Sequence, residues 1–184
     1  ETKAQGIEVT GKLGFSDHPM TAHFRFLAEH AQVVPKMTIP SPSVLHFRQD
    51  DAARRKVYPD IDEFFDELGQ TYADAVRAFY DTGCRYLQLD DTVWAYLCSE
   101  VELEKARGRG HDTNGLDQRY ARVINAALAA KPDDMTIAMH VCRGNFRSTW
   151  ISEGGYEPVA EVVMGGHDLD GYFLEYDTER AGGF

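Results

Sequence analysis

The residues with the clearest chemical potential are His140 and Cys142, which lie two positions apart in the sequence. They end the run T-I-A-M-H-V-C at residues 136–142, and this composition is typical of a β-strand. Side chains alternate between the two faces of a strand, so the imidazole and the thiol share one face. Zinc accepts both nitrogen and sulfur ligands. The spacing therefore predicts that His140 and Cys142 can bind one metal ion.

Two carboxylates are expected at the same end of the neighbouring strands. Asp90 ends a predicted strand over 86–90, and Glu175 lies near the end of a predicted strand over 171–176. Alternation places both carboxylates on the face that carries His140 and Cys142. We therefore predict a zinc site made by His140, Cys142 and Glu175. Three protein ligands with an open fourth position are typical of catalytic zinc.

The residues alone leave three functions open. A zinc ion can lower the pKa of an incoming thiol, which favours alkyl transfer to sulfur. The same ion can activate water for hydrolysis, with Asp90 or Asp91 as the general base. In a third interpretation, His140 and Cys142 only pack inside a non-catalytic domain.

The elements that would position these residues alternate between strand and helix, the pattern of an α/β fold with parallel strands. No G-x-G-x-x-G follows an early strand, which argues against a dinucleotide-binding fold. Polar residues at successive strand ends favour a (β/α)₈ TIM barrel. We predict one domain over 1–184, an incomplete barrel with about five βα units. The predicted strands cover 7–15, 33–39, 86–90, 136–142 and 171–176, and the helices cover 19–30, 61–80, about 114–131 and 157–164.

Composition limits the partners of the chain. It has 184 residues, a formal net charge of -11 and three cysteines. An acidic protein is a poor match for nucleic acid, which requires a basic face. No apolar run is long enough to span a membrane, and the irregular cysteines predict a reducing cytoplasm rather than a disulfide framework. The chain begins without methionine and stops just after a predicted strand, so we expect a fragment of a longer protein.

Several motifs resemble those of a known enzyme family. The chain resembles the catalytic C-terminal barrel of cobalamin-independent methionine synthase, and most nearly the short stand-alone relatives of that domain. The His-x-Cys pair and the later glutamate are the specific part of the resemblance. The motifs follow the order of the family: KMTIPSPS at 36–43, YLQLDD at 86–91, HVCRGNF at 140–146, FLEYD at 173–177 and RAG at 180–182.

The resemblance implies a zinc-dependent methyltransferase. It would move a methyl group from 5-methyltetrahydrofolate, in its polyglutamate form, to the thiol of homocysteine and give methionine. This is the activity of a 5-methyltetrahydropteroyltriglutamate–homocysteine S-methyltransferase. The implied roles are Zn²⁺ ligation by His140, Cys142 and Glu175, binding of the homocysteine amino group by the catalytic Asp90, and further substrate binding by Asp91, Ser41 and Ser43.

The sequence departs from the family pattern in two places. The family continues Asp-Glu-Pro where this chain has Asp90-Asp91-Thr92. The fourth zinc ligand of the family is a downstream cysteine, which we expect beyond Phe184. The basic run RRK at 54–56 either contacts the polyglutamate tail or is a solvated charge cluster. Neither the oligomeric state nor the activity of the fragment alone follows from these residues.

Overall fold

A computed structural model describes residues 6–145 and 148–182. Its centre is a sheet of four strands, β1 (Met37–Pro40), β2 (Tyr86–Asp91), β3 (Thr136–Val141) and β4 (Gly171–Leu174). The strands lie in the order β1-β2-β3-β4 and every pairing is parallel. The predicted α/β class with parallel strands is confirmed, while closure of the sheet into a TIM barrel is not confirmed.

Helices connect the strands. The described part of the chain contains α1 (Pro19–His30), α2 (Pro42–Phe47), α3 (Asp51–Val57), α4 (Ile61–Asp81), α5 (Val93–Leu97), α6 (Glu100–Gly108), α7 (Leu116–Leu128) and α8 (Ala160–Gly165). The expected cap of α4 is present, because the Asp60 side chain accepts from the backbone N–H of Asp62. Gly83, with a φ of 93°, follows the end of the same helix. None of these helices combines the length and apolar character that crossing a membrane requires.

The two faces of the sheet have different environments. Leu87, Leu89, Ile137 and Met139 are fully or almost fully buried on the face covered by helices. Their neighbours Gln88, Asp90 and His140 project from the opposite face, as the alternation predicts. Long α4 and α7 pack against each other over the apolar face. The apolar residues of these helices therefore anchor the strands that carry the polar site.

The predicted strand at 7–15 is wrong. Apart from an isolated bridge between Ile7 and Gln49, this segment is irregular. It lies against helices instead of pairing with the sheet: the backbone N–H of Leu13 donates to the Tyr58 hydroxyl at 2.5 Å, and Lys12 forms an ion pair with Glu63. Glycines at 11 and 14 also weaken strand formation. The described residues thus form four strands, not the five predicted.

Other elements differ at their ends. β1 begins at Met37 rather than at residue 33, because Val33 and Val34 are exposed and Pro35 has no N–H for a sheet hydrogen bond. β4 ends at Leu174, so Glu175 lies immediately after the strand. The helix predicted over 157–164 is shorter and begins at Ala160, after Pro158.

Candidate metal centre

The ends of β2 and β3 place two of the predicted site residues side by side. Asp90 is the register partner of His140, and His140 is in turn the partner of Phe173 in β4. Parallel strands have their carboxyl ends at the same edge of a sheet. Residues that end or follow these strands therefore converge at one edge, as predicted from the sequence.

His140, Cys142 and Glu175 form a group of possible metal ligands at that edge. One ligand atom from each lies within 4.8 Å of the others, and all three residues are half-buried. Backbone contacts hold the group: the Arg143 N–H donates to Glu175 Oε1 at 3.3 Å, and the Cys142 N–H donates to the carbonyl of Asp91 at 2.7 Å. Adjacent strands thus bring together a nitrogen, a sulfur and an oxygen.

The donor set of this group fits zinc. Zinc binds imidazole nitrogen, thiolate sulfur and carboxylate oxygen at about 2.0–2.3 Å. Burial, together with the nearby carboxylates of Glu175 and Asp90, raises the pKa of Cys142, although the N–H of Gly144 opposes this shift. The cysteine is thus a neutral thiol until a cation replaces its proton. The three side chains therefore offer a possible site for a divalent cation at this edge of the sheet.

Asp90 contacts His140 directly. His140 Nδ1 lies 3.3 Å from Asp90 Oδ1, and the same oxygen accepts from Gln88 Nε2 at 2.7 Å. With Nδ1 directed at a carboxylate, Nε2 is the ring nitrogen left for a metal. A carboxylate behind a metal-binding histidine is a common arrangement that fixes the orientation of the ring.

An open cavity of about 450 Å³ lies over this edge of the sheet. Asp90, His140 and Cys142 line it, as does Arg48, which no sequence pattern indicated. The volume is within the range of small-molecule sites, roughly 300–1,000 Å³. Arg48 follows α2 in the chain, so its position depends on how that helix returns to the sheet.

The other predicted substrate residues, Ser41, Ser43 and Asp91, are completely buried. The Ser43 hydroxyl donates to Asp91 Oδ2, and Asp91 Oδ1 accepts from the N–H groups of Val93 and Trp94 at 2.6 and 3.2 Å. Burial raises the pKa of Asp91, against the opposing effect of these hydrogen bonds. The three residues connect β1, β2 and α5, and their contact with substrate stays a prediction.

Residues after β3 divide between structural and cavity positions. Arg143 is fully buried and donates to the carbonyls of Gly154 and Ala181 at 2.6 and 3.0 Å. Asn145 lines the cavity. Trp150 is partly exposed with the Arg180 guanidinium over its ring, and Arg147 lies outside the described residues.

A second group of possible ligands, His46, Asp51 and His111, is buried beneath the helices. Its carboxylate is already occupied: Oδ1 of Asp51 accepts from Arg54 Nε and Nη2 at 2.8 and 2.7 Å, and Oδ2 accepts from Arg55 Nε at 2.6 Å. Guanidinium groups beside this carboxylate repel a cation. We therefore interpret the group as a buried ion-pair network.

The histidines of this network also have protein partners. His46 Nδ1 lies 2.7 Å from the Tyr120 hydroxyl, and His111 Nε2 lies 2.9 Å from the carbonyl of Gln49. Burial lowers the pKa of both imidazoles, and for His46 it does so to well below the usual value. Arg54 is therefore part of the protein interior and is not free to contact a polyglutamate tail.

Known proteins resemble the chain over its whole length. It is 50% identical to the uncharacterized protein YxjH and 49% identical to the uncharacterized protein YxjG, both from Bacillus subtilis (strain 168). Each alignment covers 100% of the chain but only 48% and 49% of the relative. The chain thus spans about half the length of these relatives. No protein-family model matches it.

Two solved structures have a similar fold. One, from Listeria monocytogenes, is provisionally named a vitamin-B12-independent methionine synthase. It is 42% identical, with a TM-score of 0.74 over 92% of the chain and 48% of that structure. The other is a B12-independent methionine synthase from Shewanella sp. W3-18-1, with 13% identity and a TM-score of 0.60 over 87% of the chain and 43% of that structure. The chain shares the fold of the matched part of each structure, which is less than half of its length. At 13% identity, the second likeness concerns the fold alone.

Proposed function

We propose that the chain belongs to a zinc-dependent methyltransferase that moves a methyl group from 5-methyltetrahydrofolate to the thiol of homocysteine and forms methionine. The observation that carries this proposal is the convergence of His140, Cys142 and Glu175 within 4.8 Å. The 42% identity to a protein provisionally named a methionine synthase supports the reaction class. The four parallel strands would be part of a (β/α)₈ barrel in the whole protein.

In this proposal the three clustered side chains hold the ion together with the downstream cysteine that the family resemblance implies, and the acceptor thiol would bind at the same ion. When bound, zinc would lower the pKa of an incoming thiol and thereby supply a stronger nucleophile at neutral pH. The contribution of the chain is the donor set itself. It carries up to two negative charges, from Cys142 and Glu175, and this favours retention of a divalent cation.

Asp90 would orient the acceptor. Its Oδ1 is engaged by Gln88 and His140, while no hydrogen bond to Oδ2 is found among residues 6–145 and 148–182. Because Asp90 lines the cavity, its second oxygen can accept from the ammonium group of an amino-acid thiol. The ammonium would then hold the acceptor with its sulfur directed to the metal ligands, which reduces the entropic cost of the reaction.

Ser41, Ser43 and Asp91 would act on the substrate pocket through the backbone. The N–H of Ser41 donates to the carbonyl of Asp90 at 2.8 Å, which ties the end of β1 to the end of β2. Their hydroxyl and carboxylate groups are buried, so a folate would contact the surface that they support. Pro40 and Thr38, which line the cavity, form that surface.

Metal analysis of matched cysteine variants tests the zinc site. We expect about one zinc per chain in the purified protein and a large loss of zinc in Cys142→Ser. Cys98→Ser is the control, because Cys98 is also half-buried but its thiol donates to the carbonyl of Trp94 at 3.3 Å. Equal zinc in the wild type and Cys142→Ser, or no zinc in either, would refute the proposal and favour simple packing of His140 and Cys142.

X-ray absorption at the zinc edge separates thiol alkylation from hydrolysis. We expect homocysteine to add one sulfur to the zinc coordination shell, because only alkyl transfer requires the substrate sulfur on the metal. A zinc coordination shell that does not change when homocysteine is added would instead support a zinc hydrolase. The buried Asp91 is a poor general base for that reaction, since both of its oxygens already accept hydrogen bonds.

A further inference from the structure

A line of polar side chains crosses the face of the sheet opposite the helices and ends at a predicted metal ligand. Lys36 Nζ donates to Gln88 Oε1 at 2.8 Å. Gln88 Nε2 donates to Asp90 Oδ1 at 2.7 Å. The same oxygen lies 3.3 Å from His140 Nδ1. The four residues therefore form a continuous hydrogen-bonded chain from an ammonium group to an imidazole.

The direction of the Gln88 amide follows from its two neighbours. An ammonium group is only a donor, and an ionised carboxylate is only an acceptor. The amide oxygen must therefore face Lys36 and the amide nitrogen must face Asp90. Gln88 is nearly buried, at 9% exposure, so water does not replace either contact easily.

Aromatic rings hold the ammonium group in place. Lys36 Nζ lies 4.7 Å from the ring centroid of Phe173 and 5.3 Å from that of Tyr86. Both distances are within the range of cation–π attraction. These rings belong to β4 and β2, on the two sides of β3. The start of the hydrogen-bonded chain is thus tied to the same sheet that carries its end.

We infer that Lys36 and Gln88 are positioning residues that hold Asp90 against His140, so that the imidazole carries its proton on Nδ1 and offers Nε2 to the metal. Lys36 acts by preventing the Gln88 amide from turning over. In its absence, the amide can present its oxygen to Asp90 and repel that carboxylate. This inference rests on the proposed zinc site, because it assigns how one ligand of that site is prepared.

Zinc affinity, measured by competition with a chromophoric chelator, tests the chain of contacts. We expect Gln88→Leu to weaken zinc binding by up to about 10-fold, at the low end of the 10–100-fold usual for losing the group that contacts a metal ligand, because Asp90 itself is kept. Lys36→Met should weaken binding by a smaller factor. The double variant should bind as Gln88→Leu does, because Lys36 acts only through Gln88. Lys105→Met, which removes an exposed lysine paired with Glu102, is the control and should bind as the wild type does.

The inference would be overturned if the zinc affinity of the double variant fell by the product of the two single-variant losses. It would also be overturned if Gln88→Leu bound zinc as tightly as the wild type does. A purely structural role for Gln88 would lower the midpoint of urea unfolding but leave the imidazole unchanged. The ¹⁵N resonances of His140 in the metal-free protein distinguish a structural role from a positioning role, because they report which ring nitrogen carries the proton. They can be assigned as the resonances that disappear in His140→Gln.

We expect a proton on Nδ1 in the wild type and a mixture of tautomers in Lys36→Met and Gln88→Leu. A proton on Nε2 in the wild type, or the same tautomer in all three proteins, would contradict the inference. This measurement needs no metal. If the wild type bound no zinc, the proposed function would fail, while the tautomer would still decide the role of Lys36 and Gln88.

Discussion

The buried pair of Asp51 and Arg54 provides the sharpest test of the second histidine cluster, because an ion-pair network and a metal site respond differently when the arginine is removed. Arg54 is 2% exposed and Asp51 is 4% exposed. The guanidinium contacts one oxygen of Asp51 twice, at 2.7 and 2.8 Å, and also donates to the carbonyl of Tyr58 at 2.6 Å. Arg54→Met keeps most of the side-chain volume but removes all three hydrogen bonds.

We expect Arg54→Met to lower the free energy of unfolding by about 3–5 kcal/mol, which is the usual cost of leaving one buried charge without its partner. That is a large share of the total free energy of unfolding of a typical domain, roughly 5–15 kcal/mol. Arg55 still contacts Asp51, but its side chain is mostly exposed and compensates little. The double variant Asp51→Asn/Arg54→Met removes the unpaired charge, so it should be more stable than Arg54→Met.

Urea unfolding followed by circular dichroism measures both variants. A loss below about 1 kcal/mol in Arg54→Met, or a double variant that is no more stable, would refute the ion-pair interpretation. Zinc added to Cys142→Ser provides a second check. A zinc-dependent rise in its urea midpoint, abolished by His111→Gln, would show that this cluster binds metal after all.

Three further predictions concern stability. Gly69→Ala should destabilise the protein by roughly 1–2 kcal/mol despite a better helix propensity, because its new Cβ would lie 2.9 Å from the Cβ of Ala126 between α4 and α7. Ser43→Ala should cost about 1–3 kcal/mol in urea unfolding, because it removes a hydroxyl donor from a carboxylate that is completely buried. The free energy of unfolding should fall as the pH drops below about 6.5, because burial lowers the pKa of His46 and only the unfolded chain then takes up the proton. His46→Gln should reduce this loss of stability by up to about 1.4 kcal/mol per pH unit between pH 7.5 and 5.5.

Each of these has a matched comparison. Adding Ala126→Gly to Gly69→Ala restores the space between α4 and α7 and should recover most of the stability; failure to recover would contradict the steric explanation. Ser16→Ala, in the irregular N-terminal segment, is the control for Ser43→Ala and should be nearly neutral. Parallel pH profiles of the wild type and His46→Gln would show that His46 takes up its proton equally in the folded and unfolded chain, and would contradict the prediction.

Local sequence patterns were sufficient for the elements that bury an apolar face. The spacing of apolar residues in 61–80 predicted α4, and the actual helix is Ile61–Asp81. Alternation in 86–90 and 136–142 placed Asp90 and His140 on one face, and the register makes them direct partners. These predictions succeed because side-chain periodicity in helices and strands depends on backbone geometry alone.

The same reasoning failed where partners decide the structure. Residues 7–15 alternate like a strand, yet they pack against helices rather than along the edge strand β1, and local alternation does not specify which of these partners a segment meets. Alternation in β2 also explains why Asp91 is buried: its side chain lies on the same face as Leu89, whereas the side chain of Asp90 lies on the opposite face. The sequence interpretation allowed either aspartate a role at the site, although alternation directs Asp91 to the helix-covered face.

The chemistry of the site was accessible from residue types and spacing, whereas its support was not. His140, Cys142 and Glu175 could be grouped because parallel strands end at a common edge. Arg48, Gln88 and Lys36 had no comparable pattern, since the hydrogen bond between Lys36 and Gln88 joins residues 52 positions apart and Arg48 reaches the cavity only through the fold. The sequence by itself determined which faces are apolar and which donor atoms are present. Only the tertiary structure decided which polar groups meet, because hydrogen bonds depend on distances of about 3 Å that periodicity does not specify.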